Sequence, residues 1–217
     1  MIKFLIFFFL FLIFSGCSFK IPQNQWQFKS ANAFSSYTKN FLSAKDNIAK
    51  NDLQRAIKHA KQSADLTQLS RIYLGKCALN ISLGIEDSCQ EYVAMSNLVD
   101  DKELKAYYAL LTYNLTKEQI ELLPDDYKDY AKFLLIKDFN GVKEEILTMN
   151  KVTSKLLATA LIHKSIDNDF REKILHLVSF YGYKKVVLFY LNEIGKNTKD
   201  KRKRGKIEKK ISILSKN

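Results

Sequence analysis

From Trp26 onward, apolar residues recur three and four apart, as in Phe34, Tyr37, Phe41, Ala44 and Ile48. That spacing lays them along one face of a helix of 3.6 residues per turn. Short polar or Gly/Pro points interrupt the pattern at Asn51-Asp52, Gly84 to Asp87, Asp100-Asp101, Pro124-Asp125, Asn140-Gly141 and Tyr181-Gly182-Tyr183. Such points stop helices because they favour turns and caps. The pattern predicts about nine or ten helices in succession and no convincing strand, hence an all-α fold.

Composition narrows this further. Seven glycines and two prolines in 217 residues are too few for an all-β chain needing a turn every ten residues or so. They also exclude a glycine-rich phosphate-binding scaffold and a proline-rich disordered chain. At 47% hydrophobic, a chain of this length can bury a sizeable core.

The amino terminus has a different pattern. Lys3 precedes an unbroken apolar run from Phe4 to Phe14. The run has about the length of a signal-peptide core and falls short of the ~20 apolar residues of a membrane-spanning helix. Phe14-Ser15-Gly16-Cys17 follows. This apolar-small-small-cysteine order resembles the lipobox of bacterial lipoproteins, with Phe14 where that family usually has leucine. The resemblance implies cleavage after Gly16, lipid on the Cys17 sulfur and acylation of the new amine. Several acyl chains, at ~0.8 kcal/mol per buried CH₂, would hold a soluble domain on a bilayer. The alternative is an uncleaved single-pass anchor. Ser18 stands where an aspartate would signal inner-membrane retention, which by resemblance favours the outer membrane. The expected organisation is a leader over 1–16, a lipidated tether over 17–30, a helical domain over 31–198 and a basic helix or tail over 199–217.

The helical region also repeats. Ala44 and Ala56 stand twelve apart; Cys77 and Cys89 do so thirty-three residues later. In the same register Ser63 recurs as Ser96, while Phe41, Ile48, Ala60 and Leu66 recur as Leu74, Ile81, Val93 and Val99. Asn51-Asp52-Leu53-Gln54-Arg55-Ala56-Ile57 reads as the start of a second repeat helix. The pattern resembles the tetratricopeptide repeat and the related Sel1-like repeat, over about Tyr37 to Val99. The likeness is faint from Lys102 to Ile166 and returns partly in Gly182 to Val187. The resemblance implies a right-handed α–α solenoid of helix hairpins, with small residues where paired helices cross. The alternative is a generic helical bundle.

If Cys77 and Cys89 occupy such crossing points, their backbones come within reach of a disulfide. An exported chain meets an oxidising compartment, so a bond is expected. The alternative is two reduced, buried thiols filling small positions.

Little else in the chain points to chemistry. His59, His163 and His176 form no HExxH and no close metal spacing. There is no GxSxG elbow and no phosphate loop. Asp125-Asp126, Glu144-Glu145 and Asp167 to Asp169 lie beside turns or helix starts, where acids complement the helix dipole. No enzyme activity, metal site or cofactor is expected.

The formal net charge is +12, and part of the excess is local. Lys199 to Lys210 holds eight basic and two acidic residues. For an exported protein the compatible targets are anionic lipid or cell wall rather than nucleic acid, contacted by Lys201, Arg202, Lys203, Arg204 and Lys206. The alternative is a last helix packing Ile207, Ile211 and Leu214 inward as a cap.

Two functions stay open. One is a membrane-anchored periplasmic adaptor that binds an envelope protein through the concave face of its repeats. The resemblance implies that this face is lined by the first helix of each unit, and thus by Lys45, Arg71, Tyr107 and Asn114. The other is a ligand carrier or cell-wall-associated protein with a small-molecule or peptidoglycan site between helices.

Overall fold

The computed structural model describes residues 24–216. Leader, lipobox and Cys17 lie outside the described residues. Within them the chain forms eleven α-helices and three short 3₁₀ turns, with no strand. The helices are α1 (Gln25–Leu42), α2 (Asp46–Ala60), α3 (Thr67–Ser82), α4 (Gln90–Val93), α5 (Lys102–Leu111), α6 (Asp125–Leu135), α7 (Phe139–Thr148), α8 (Val152–Leu161), α9 (Asn168–Phe180), α10 (Lys184–Lys196) and α11 (Lys201–Ser215). α1 starts at Gln25, so residues 25–30 of the expected tether are helical. None of these helices is long and apolar enough to cross a membrane.

Acidic caps set several boundaries. The side chains of Asp101, Asp138, Asp167 and Asp200 accept backbone N–H groups at the starts of α5, α7, α9 and α11. Each satisfies donors that a helix leaves unpaired. Asp125 and Asp126 occupy the first turn of α6, behind Pro124. The helix-start reading of the acidic clusters holds at these places. Glu144 and Glu145 lie in the middle of α7 instead.

α1 and α2 form the closest hairpin. Small residues make it possible: Ser30 and Ala33 on α1, and Ala49, Ala56 and Ala60 on α2, are all buried. The Ser30 hydroxyl donates to the Ala56 carbonyl at 3.0 Å. Near the other end, the Asn40 amide donates to buried Asp52 at 2.7 Å, and Arg55 pairs with the same carboxylate. Asn51-Asp52 is therefore not a break but lies inside α2, because a partner across the hairpin satisfies the polar group. The actual turn falls at Ser43 to Lys45, where Ala44 takes a left-handed φ of 60°. Asn140-Gly141 likewise belongs to the first turn of α7, and the break precedes it at Lys137-Asp138.

α3 and α8 run through the centre. α3 buries residues on several faces, from Leu69 and Ile72 to Leu74, Cys77 and Leu79. α8 buries Leu156, Leu157, Ala158 and Leu161, and the two pack together. A helix apolar on all sides belongs inside. The C-terminal elements form a second hairpin, α9 against α10, and α11 packs on α10. α10 also returns to the first hairpin: the Lys185 ammonium lies 4.1 Å from the Phe41 ring centroid and pairs with Asp46. Packing thus joins helices distant in sequence, beyond the neighbour-to-neighbour contacts of a simple repeat stack.

The thirty-three-residue register does not superpose in three dimensions. Ala44 lies in a turn, while its counterpart Cys77 lies inside α3. Ala56 lies inside α2, while its counterpart Cys89 has φ 53° and precedes the four-residue helix α4. Ala56 is a true crossing point; Ala44 and Cys89 are not. Cys77 and Cys89 nevertheless stand at disulfide distance, with Cα atoms 5.3 Å apart. What brings them together is the turn after α3, in which Gly84 adopts φ 66°. Asp87 reinforces that turn by accepting from the Asn80 amide at 2.7 Å and from the Cys89 N–H at 2.8 Å.

Candidate functional site

A groove of about 860 Å³ opens along α3, between the starts of α5, α6 and α8. Its floor is apolar, with Phe34, Leu74, Leu104, Leu123 and Leu157. Gly75 shapes that floor: a Cβ there would stand 2.5 Å from the Phe34 ring, so the ring lies directly over a bare Cα. The rim is charged, with Arg71, Glu103, Asp125, Asp126, Lys128 and Lys151.

Two of the four partner-binding residues expected from sequence line this groove. Arg71, on α3, is exposed and reaches Asp101 at 3.3 Å, tying α3 to the cap of α5. Tyr107, on α5, is half-buried, its ring centroid 5.8 Å from that of Tyr127. Burial of its hydroxyl, and then the neighbouring Tyr127, push the Tyr107 pKa well above the usual tyrosine value. Burial also raises Tyr127 to about 12, although interactions with Ser154 and Tyr107 oppose the rise. Both phenols are neutral hydrogen-bonding groups at ordinary pH. The other two residues are elsewhere. Lys45 is exposed beside the α1–α2 turn, and Asn114 is exposed past the end of α5, its amide 3.4 Å from the Thr112 hydroxyl. They do not join the groove, because Lys45 stands at the α1–α2 turn and Asn114 lies beyond the last turn of α5.

Sequence reasoning read Asp126 only as a helix-start acid and not as part of a site. One of its carboxylate oxygens accepts from the Asn150 N–H at 3.4 Å; the other is buried with no hydrogen-bond partner among the described residues. An unmet buried acceptor is costly. This one sits in the groove lining at the positive end of α6, where the helix dipole supports its charge.

The basic C-terminal segment divides into two groups. Arg204 donates to the Thr198 carbonyl through two nitrogens, at 3.2 and 2.6 Å, and so closes the α10–α11 turn. Lys203 pairs with Glu172 of α9 at 2.9 Å. Lys201, Arg202 and Lys206 are exposed and form no ion pair among the described residues. On the opposite side, Ile207 is buried against Leu191 and Ile194, with Ile211 packed beside them. Leu214 stays 40% exposed. The cap expected of Ile207, Ile211 and Leu214 therefore rests on the first two residues.

Cys77, Cys89 and Asp87 bring potential ligand atoms together. The two sulfurs are at bonding distance to each other, so the pair is explained without a metal. Comparison with family models, with curated proteins and with solved structures finds no match.

Proposed function

We propose that this chain is a lipid-anchored scaffold of the bacterial envelope, facing the periplasm and binding a protein partner through the groove along α3. The observation that carries the reading is the groove itself: an apolar floor with a charged rim, containing Arg71 and Tyr107. A partner segment inserting an apolar side chain and placing a basic group near Asp126 would complement both parts. The anchor is Cys17, through the lipobox resemblance, and the outer membrane is its expected side. Hairpins such as α1/α2 and α9/α10 are the units of the TPR-like, right-handed solenoid form in this reading. The exposed Lys201, Arg202 and Lys206 add an electrostatic contact to anionic lipid or cell wall, worth ~1 kcal/mol per basic residue near a charged surface.

The test uses the full-length protein in its native cell, with a photo-crosslinking residue at Glu103 or at Lys45. Glu103 lines the groove and Lys45 does not. A single envelope protein should be captured from Glu103 and not from Lys45. Equal capture from both positions, or none from Glu103, would remove the groove from the proposal. Fatty-acid labelling of wild type against Cys17→Ala tests the anchor separately; equal labelling refutes it.

A further inference from the structure

A second cavity, separate from the groove, lies between the turn after α3, the end of α8 and the α9/α10 hairpin, with a volume of about 940 Å³. That is at the upper end of the range for small-molecule sites. Its walls include Ile81, Leu83, Leu111, Ile166 and Phe189. Its polar lining includes Arg171 from α9, Tyr190 from α10, Thr159 from α8 and, nearer the rim, Lys196, which pairs with Glu193.

Arg171 is 8% exposed. One terminal nitrogen donates to the His163 carbonyl at 2.9 Å and the other to Asn168 Oδ1 at 3.4 Å. Both acceptors are neutral, and two contacts leave most of the five guanidinium N–H donors of an arginine unused. No carboxylate among the described residues forms an ion pair with it. The acids that share the cavity wall are engaged or outlying: Glu193 pairs with Lys196 at 2.9 Å, Asp87 holds its own turn, and Glu86 is exposed. A buried charge without a counter-charge is expensive. Tyr190 is 2% exposed, and its hydroxyl makes no hydrogen bond of good geometry among the described residues, although the Thr159 hydroxyl interacts with it. Arg171 and Tyr190 both line this cavity; burial raises the Tyr190 pKa, opposed first by the Thr159 hydroxyl and then by the Arg171 charge. The Thr159 hydroxyl donates to the Lys155 carbonyl at 2.7 Å.

A monocarboxylate with an apolar body meets every one of these conditions. Its two oxygens accept from the guanidinium and from the tyrosine hydroxyl, and its body covers the aliphatic wall. A guanidinium stays charged and keeps N–H donors that suit a carboxylate oxygen. We propose that this cavity binds a small organic carboxylate with an apolar body, held by Arg171 and Tyr190. The site does not depend on the scaffold reading, since it shares no residue with the groove.

Isothermal titration of the lipid-free domain, residues 24–217, tests this once circular dichroism shows the domain folded and all-helical; otherwise the full chain in detergent is used. The probes are octanoate, N-acetylphenylalanine and, as a cationic control of equal length, octylamine. Octanoate or N-acetylphenylalanine should bind and octylamine should not; which of the two binds tells an aliphatic chain from an acylated amino acid. Arg171→Gln should weaken binding at least about tenfold, the usual scale for a hydrogen bond to a charged group. Because Arg171 also supports the His163 carbonyl, a second variant guards against a folding defect. Tyr190→Phe removes a hydroxyl that makes no good hydrogen bond among the described residues, so it should keep the melting temperature while weakening the carboxylate about threefold or more. Binding of octylamine as strong as octanoate, no binding of either acid at millimolar concentration, or unchanged affinity in Tyr190→Phe would each overturn the proposal.

Discussion

Ala56 is the sharpest probe of how the first hairpin is built. It is fully buried on α2 and its carbonyl receives the Ser30 hydroxyl from α1 at 3.0 Å. Around it stand Ala33, Ala60, Leu69 and Ile72, with no small neighbour able to shrink further than alanine. Ala56→Leu inserts three carbons where two backbones nearly touch. Overpacking of this kind costs about 1–3 kcal/mol. Parting the helices also stretches the Ser30 hydrogen bond, worth about 1 kcal/mol net. The combined loss is about 3 kcal/mol. For a domain of this size each kcal/mol shifts the melting temperature by about 2–4 °C, so the drop is about 6–12 °C. Ala31, exposed on α1, supplies the control: Ala31→Leu should stay within about 0.5 kcal/mol of wild type. Thermal melts followed by circular dichroism compare the two. If both leucine variants melt together, the helices do not cross closely at Ala56 and the hairpin is misdescribed.

Three further outcomes follow from the same packing. Reducing the Cys77–Cys89 pair, twelve residues apart in sequence, should destabilise the fold by about 3 kcal/mol by the loop-entropy relation; equal melts with and without reductant would rule out a bond. Burial, before the charges of Asp87 and Glu91, raises Tyr37 to about 12, and burial raises Tyr127 to about 12. The unfolded phenols ionise near 10, so this stabilisation is complete below about pH 10 and lost between about pH 10 and 12. Alkaline titration of ellipticity and tyrosinate absorbance should show unfolding in that window, and free titration near pH 10 would contradict it. Replacing Lys201, Arg202 and Lys206 together by glutamine should weaken vesicle binding at low salt and leave the melt unchanged, whereas Arg204→Gln should lower the melt by uncapping Thr198; the reverse pattern would make the free basic residues structural.

The all-helical class was legible because the 3.6-residue spacing persists through most of the chain and because glycine and proline are scarce. Breaks at Gly84, Asp100-Asp101, Pro124-Asp125 and Gly182 were also legible, since each is a local backbone preference. Asn51-Asp52 misled because Asp52 finds its partner on another helix, at Asn40, and no local pattern contains that pairing. The cysteine pair was anticipated through a register that does not superpose; a tight turn supplies the proximity instead. Arg171 went unnoticed although a signal was present. It lies on the same buried face of α9 as Phe170, Ile174 and Val178, and a cation on an apolar stripe is the mark of a buried charge. Tyr190 carried no such mark, because an unpartnered hydroxyl is defined only by what surrounds it.

The segment that the Cys77–Cys89 pair closes carries the aliphatic residues Ile81, Leu83 and Ile85, which line the Arg171 cavity. Closing the bridge and filling the cavity therefore constrain one and the same stretch of backbone. If octanoate binds the bridged and reduced chains with different affinity, the two equilibria are linked, and linkage is reciprocal. Any factor by which the bridge changes the affinity for octanoate equals the factor by which octanoate changes the oxidation equilibrium. Electron balance outside the protein would then set occupancy within it, and the equality of those two factors can be measured from either side.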